Sequence, residues 1–220
     1  MKKKILAVLG DFYHSHDLAL TAMQETVGKL EKNFGIQAEL ADTGVEDLKA
    51  RLTPEIDLIV LYKENRINPD DENIAYWMTP ELEEQITQYV SGGGSIFAWH
   101  SGIVSYEKNQ RFNDMLRGYF LSHPIEREVR YSAADSNTGI APASSFTVMD
   151  EHYLVNVNPL ENSVFLAAES AEGKSVAGWA HEYGRGRVCC LTPTHRSEGM
   201  ENEIMLDLLV ECLRWCLKEQ

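Results

Sequence analysis

Basic side chains are in short supply in this chain. Its 220 residues carry 20 Lys and Arg against 34 Asp and Glu, a formal net charge of −14 at pH 7. A chain this acidic lacks the basic face that nucleic acids and anionic membranes require, so neither is an expected partner. Long apolar runs are missing as well. Met1-Lys2-Lys3-Lys4 leads into Ile5–Leu9 in the manner of a secretory leader, but Gly10-Asp11 ends the run. That is too short for a leader's apolar region or a membrane span, so a cytoplasmic protein is expected. Cysteine is sparse: Cys189, Cys190, Cys212 and Cys216. Neighbours in a strand face opposite ways, so Cys189 and Cys190 cannot form one two-thiol claw. All four read as small core residues in a reducing compartment, with zinc as the other reading. Two signatures are also absent. Gly92–Gly94 precedes a strand instead of opening a helix, which fails the dinucleotide fingerprint, and no nucleotide cofactor is expected. No Gly-x-Ser-x-Gly hydrolase elbow occurs.

What is present is an alternation of strand and helix signals. Lys4–Leu9 is continuously apolar, as buried parallel strands are. Asp17 can cap a helix whose apolar positions, Leu20, Met23, Val27, Leu30 and Phe34, fall 3 and 4 apart, and Gly35 ends it. Ile36, Ala38 and Leu40 alternate as a second strand. A short acidic helix, Val45–Leu52, leads to a third strand at Ile56–Tyr62. This β-α-β-α-β order predicts a parallel sheet with right-handed crossovers. Lys63–Met78 reads as a long polar loop. Thr79-Pro80-Glu81 opens the next helix, with Leu82, Ile86, Tyr89 and Val90 on its apolar face. The strand Ile96–Trp99 follows, and a helix carrying Phe112, Met115, Leu116, Tyr119 and Phe120 is expected after it. From Glu126 the texture turns to short β-like pieces: Glu128–Ser132, Ser145–Met149, Ser163–Ala168, Ser175–Ala180 and Arg187–Thr192. A helix over roughly Glu201–Leu217 closes the chain. One α/β domain over 1–220 is expected, a doubly wound, mostly parallel sheet with extra antiparallel strands in its second half.

The stretch Ser91–Gly102, SGGGSIFAWHSG, organises the rest. In open α/β sheets ligands collect at the carboxyl ends of the strands, and the strand Ile96–Trp99 delivers His100 there. A sharp strand-to-helix elbow would expose that imidazole. His14 and His16 follow the first strand, and His195 follows a late one. One rim can therefore gather His14 or His16 with His100 and His195. Imidazoles titrate near neutrality and also ligate metal ions, so acid–base work and metal binding both remain open. Each has a plainer alternative as a packed or helix-capping residue. Asp150-Glu151, directly after an apolar strand, could turn one carboxylate inward or simply form a solvated turn. His152 and His181 read as surface or packing residues.

The ordered set GGGSIFAWHSG, Ser122-His123-Pro124, FTVMDEHY at Phe146–Tyr153, and VAGWAHEYGRGRVCCLTPTH at Val176–His195 resembles the ThuA-like (trehalose-utilisation) family. The resemblance runs from the first strand to the last helix. It implies the class I glutamine-amidotransferase-like, flavodoxin-related fold, with a polar rim at His16-Asp17, His100, His123, Glu151 and His195. The chain departs from true amidotransferases, which place a cysteine at the elbow where His100 stands, so glutamine hydrolysis is not expected. It also reads Ser175-Val176-Ala177-Gly178-Trp179 where relatives carry a Pro-Val-Ala-Trp-like segment.

The resemblance implies work on trehalose or a related sugar. The expected chemistry is isomerisation or elimination on a keto-sugar. His100 or Glu151 would abstract a proton beside the carbonyl, while His195 or His123, or a metal between them, would polarise the oxygen. His16, Asp17 and Tyr62 are the expected substrate contacts. A divalent metal such as zinc, if bound, is expected among His16, His100, His123 and His195. The competing reading is a non-catalytic sugar-binding or regulatory protein, with Tyr62, Trp77, Trp99 and Tyr106 as stacking surfaces. A structural zinc site on His14 and His16 is a third. A homodimer is the base expectation for such a soluble protein.

Overall fold

A computed structural model describes residues 2–219. The first half builds β1 (Lys3–Leu9), α1 (His16–Phe34), β2 (Ala38–Asp42), α2 (Val45–Arg51), β3 (Leu58–Tyr62), α3 (Pro80–Ser91) and β4 (Ser95–Trp99). A 3-10 turn over His100–Ile103 and α4 (Gln110–Leu116) follow. Next come β5 (Gly118–Ser122), β6 (Arg127–Ala133), β7 (Phe146–Asp150), β8 (Leu154–Val157), β9 (Ser163–Ser170), β10 (Gly173–Tyr183) and β11 (Gly186–Leu191). The chain closes with α5 (Ser197–Met200) and α6 (Glu203–Cys216).

One nine-stranded sheet runs in the order β2-β1-β3-β4-β11-β10-β9-β6-β7. The five strands from β2 to β11 are parallel, and the remaining pairings are antiparallel. Composition explains the division. β3 and β4 are buried at every position, as a strand covered on both faces must be. β7 alternates buried and exposed residues, the pattern of a sheet with one solvated face. On one face Ile5, Ala7 and Leu9 pack with Met23 and Leu30 of α1 and with Leu206, Leu209 and Leu213 of α6. On the other, Leu6 and Val8 pack with Leu48 of α2, Ile86 of α3 and Phe112 of α4. Cys189 and Cys190 fall in opposite core layers, and all four cysteines are buried and unbridged.

Several local expectations are corrected. The helix expected to reach Phe120 stops at Leu116. Arg117 adopts a left-handed cap with φ 51, and Tyr119 and Phe120 instead belong to β5. β5 pairs with β8, an unanticipated strand, to form a separate two-stranded ribbon. Ser15, not Asp17, caps α1 through a hydrogen bond from Leu18 N–H. The last helix begins after Asn202, whose side chain accepts from the amides of Ile204 and Met205. Among the described residues no helix is long and apolar enough to cross a membrane.

Candidate functional site at the carboxyl ends of the parallel strands

Each parallel strand hands its next residues to one rim. β4 ends at Trp99, and His100 turns at once into a 3-10 segment with φ 47, a left-handed conformation that costs a non-glycine residue of order 1–3 kcal/mol. The elbow is tight because Gly102 lies against β3. A Cβ there would sit 2.0 Å from the carbonyl oxygen of Leu61, so only glycine fits. The elbow does not expose the imidazole as expected: the His100 ring is fully buried under its neighbours. Its Nδ1–H donates to the Thr192 carbonyl at 2.6 Å, just past β11. The neutral ring therefore presents its Nε2 lone pair, which accepts from the Tyr153 hydroxyl at 3.1 Å. Burial holds the His100 pKa below the usual imidazole value.

After β1 the backbone turns at Gly10-Asp11. Asp11 Oδ1 accepts the amides of Tyr13 and His14 and also the Nδ1–H of His14 at 2.6 Å. This turn folds His14 back over the sheet end. Its ring centroid lies 4.9 Å from that of His100 and 5.8 Å from that of His195. The His100 and His195 rings stack at 5.2 Å. Burial pushes the Asp11 carboxyl up, but His14 outweighs it and brings the pKa down to about 2.

The antiparallel half supplies the carboxylates. Asp150, at the end of β7 and fully buried, accepts from the Tyr131 hydroxyl at 2.7 Å and from His195 Nδ1 at 3.1 Å. His195 Nε2 meets Glu126 Oε1 at 3.0 Å, and Glu126 also pairs with Arg196. Burial opposes charge on His195. Asp150, Glu151 and Glu126 overcome it and raise its pKa. Glu151 lies in the connection from β7 to the β5–β8 ribbon. Its Oε2 is 3.5 Å from His100 Nε2 and its Oε1 is 3.7 Å from His123 Nε2. Burial pushes the Glu151 carboxyl up, but the imidazoles, His100 first, then His195 and His123, lower it to about 2.

His14, Glu126, Glu151, His195 and Arg196 line a cleft of about 620 Å³ together with Tyr13, and His100 lies buried behind them, outside the lining itself. A hollow of about 680 Å³ lies at the opposite, amino ends of the parallel strands, near Lys3, Tyr89 and Gly93. It gathers no imidazoles, and its cations Lys3, Arg185 and Lys218 are each committed to backbone carbonyls.

Of the expected site residues, the structure brings together His100, Glu151, His195 and, at the half-exposed lip, His123. His16 and Asp17 fall outside. His16 sits in the first turn of α1, bonded to Asp17 at 3.0 Å and to Asp42, at the end of β2, at 2.9 Å. The Asp11 turn has placed His14 in the cleft and aimed the helix start elsewhere. Tyr62 is fully buried beneath His100 and offers a ligand no surface. Trp77, Trp99 and Tyr106 are buried too, and the exposed aromatics by the cleft are Phe12 and Tyr13. His152 is buried, bonded to Ser170 and Ser175, and His181 bonds the Met115 carbonyl. Sequence reasoning does not reach Asp11, Glu126 or Tyr153, and takes Asp150 only as one of an acidic pair. The usable signal was position: Asp11 and Asp150 sit at strand ends, and Tyr153 follows Glu151 by two.

A family model described as ThuA, trehalose utilisation, matches residues 4–216. The chain belongs to the ThuA family. Solved structures share its fold at low identity. A ThuA-like protein from Parabacteroides merdae ATCC 43184 is 15% identical with a TM-score of 0.71, over 100% of this chain and 91% of that one. A ThuA-like protein from Bacteroides uniformis ATCC 8492 is 17% identical with a TM-score of 0.69, over 98% and 91%. A protein of Salmonella typhimurium LT2 described as cytoplasmic is 15% identical with a TM-score of 0.67, over 97% and 99%. No curated protein matches the chain. The ThuA match spans the whole rim, from the strand before Asp11 to the helix after His195.

Proposed function

We propose that the cleft binds a keto-sugar derived from trehalose or a related disaccharide and moves a proton next to its carbonyl, giving isomerisation or elimination. The observation that carries this reading is the convergence of His14, His100 and His195 around Glu151. Enolisation needs an acceptor for the proton on carbon and a positive or proton-donating group at the oxygen. Glu151, facing His123 across the open lip, is the acceptor side. His195, flanked by Asp150 and Glu126, is the charged side that stabilises the developing enolate oxygen. The His100 ring orients the centre from below. Tyr13 and Phe12 offer exposed aromatic faces for a sugar ring. The family description, trehalose utilisation, supports the substrate class.

The order β2-β1-β3-β4 with helices on both faces supports a doubly wound, flavodoxin-like core. His100 in place of a nucleophilic cysteine, with Cys189 and Cys190 buried inside β11, speaks against glutaminase chemistry. A cytoplasmic setting belongs to this reading, in line with the Salmonella neighbour's description.

The test is deuterium exchange. In D₂O the wild-type protein should place deuterium on the carbon beside the carbonyl of keto-trehalose or a keto-glucoside, read by proton NMR. Glu151→Gln should slow that exchange by roughly 10²–10⁴-fold. Wild-type exchange no faster than in buffer alone overturns the proposal, and tight sugar binding without exchange would point to a binding protein.

A further inference from the structure

We infer that the cleft is a mononuclear divalent-metal centre whose protein ligands are His14 Nε2, His100 Nε2 and a carboxylate oxygen of Glu151. One ligand atom from each of these residues already lies within 4.8 Å of those of the other two. His100 Nε2 and Glu151 Oε2 are 3.5 Å apart. Around an ion with bonds near 2.1 Å, adjacent ligand atoms sit roughly 3 to 3.4 Å from each other. Drawing the three ligand atoms to that spacing takes shifts of about an ångström shared among the side chains.

The hydrogen bonds behind the rings point the same way. A ligating imidazole gives its other N–H to a carboxylate or carbonyl, which fixes the tautomer and aims the free nitrogen at the ion. His14 does this through Nδ1 to Asp11 at 2.6 Å, and His100 through Nδ1 to the Thr192 carbonyl at 2.6 Å. Asp11 is itself held by the amides of Tyr13, His14 and Glu64, and its side chain is 1% exposed. Both rings are therefore held through Nδ1, which leaves Nε2 as the nitrogen that can ligate.

Charge balance favours a cation here. Asp11, Glu126, Asp150 and Glu151 all face the cluster, against Arg196, which pairs with Glu126, and the imidazole of His195 between Asp150 and Glu126. A second set, Glu126, Glu151 and His195, also has its ligand atoms close together. It is the weaker candidate, because Arg196 already neutralises Glu126 and His195 Nε2 is taken by that same carboxylate. Two imidazoles and one carboxylate, with open positions on the cleft side, suit a transition ion such as Zn²⁺ or Co²⁺ more than Mg²⁺ or Ca²⁺. The assignment replaces His16 with His14 and adds a carboxylate to the set anticipated from sequence. It deepens the proton-transfer reading by supplying a Lewis acid for the carbonyl oxygen, but its test involves no sugar.

The experiment uses tag-free full-length protein stripped with chelator and then titrated with CoCl₂, followed by visible absorption and calorimetry. One Co²⁺ per chain with d–d bands of N/O ligation is expected, displaced by Zn²⁺. His14→Ala and Glu151→Gln should each weaken binding at least tenfold. Asp11→Asn should weaken it roughly 10–100-fold. Tyr153→Phe removes the hydroxyl that competes for His100 Nε2 and should bind at least as tightly as wild type. It also keeps the proposal testable if the His14 variant fails to fold. His16→Ala should leave binding unchanged. No saturable Co²⁺ band in the folded wild type, or binding lost with His16 instead of His14, overturns the assignment. Sugar exchange that persists undiminished in metal-free protein would remove the ion from the reaction without touching the keto-sugar reading. Metal binding without any exchange would do the reverse.

Discussion

Gly102 shows how one missing atom shapes the site. The elbow puts His100 against His14 and His195 only because the backbone two residues on passes flush against β3. Gly102→Ala forces a Cβ to within 2.0 Å of the Leu61 carbonyl oxygen, and neither backbone can yield cheaply. The variant should lose on the order of 3 kcal/mol, read from the urea midpoint, and the His100–Thr192 contact should loosen with it. A variant of unchanged stability would show that the elbow is not packed this tightly. His100 carries strain of its own at φ 47, and its Nδ1 bond to Thr192 and its stacking on Tyr153 and His195 oppose that strain.

At the scale of the element, α1 decides which histidine belongs to the cleft. Ser15 is its cap, and Asp11 folds the preceding turn. Ser15→Ala should lower stability by about 1 kcal/mol, whereas Asp17→Ala, 97% exposed at the side chain and acting through the helix dipole and its exposed bond to His16, should lower it by a few tenths. Thermal melts of the two variants check this, and equal losses would mean that Asp17 shares the capping. The β5–β8 ribbon is the other deciding element. It sets His123 at the lip and, through the connection after β7, brings Glu151 and Tyr153 against His100. The sequence of β5 carries a helical pattern, because Tyr119 and Phe120 continue the spacing of Phe112, Met115 and Leu116. The left-handed turn at Arg117 and the packing of Gly118 under Trp179 break that helix, and neither is visible in apolar spacing.

For the molecule as a whole, His181 reports on how acid acts on the fold. Burial, and then Arg117, depress its pKa to about 4, against the Met115 bond that works the other way. Above pH 6.5 the ring is neutral in both folded and unfolded chains and contributes no pH dependence. Between 6.5 and 4 the unfolded chain takes up a proton that the folded chain refuses, so stability falls as pH falls. The total is on the order of 3 kcal/mol once the pH is below 4. Urea titrations from pH 7.5 to 4.5 should show this loss in the wild type and a shallower one in His181→Asn. Parallel slopes in the two proteins would remove His181 as the cause.

The sequence by itself determined the order of strands and helices in the parallel half, because buried strands and amphipathic helices write their periodicity into adjacent residues. It also determined that imidazoles and an acidic pair stand where strands end, which brought out His100, His195 and the Asp150-Glu151 pair, while His123 came from the family resemblance alone. Only the tertiary structure decided that His14 enters the cleft and His16 does not, that Tyr62 lies under the site, and that Asp11, Asp150 and Tyr153 take part. The physical reason is distance along the chain. His100 is oriented by a carbonyl 92 residues away, and His195 by carboxylates 45 and 69 residues away. Such partners meet only when the sheet closes, and no local pattern encodes which ring nitrogen each of them claims.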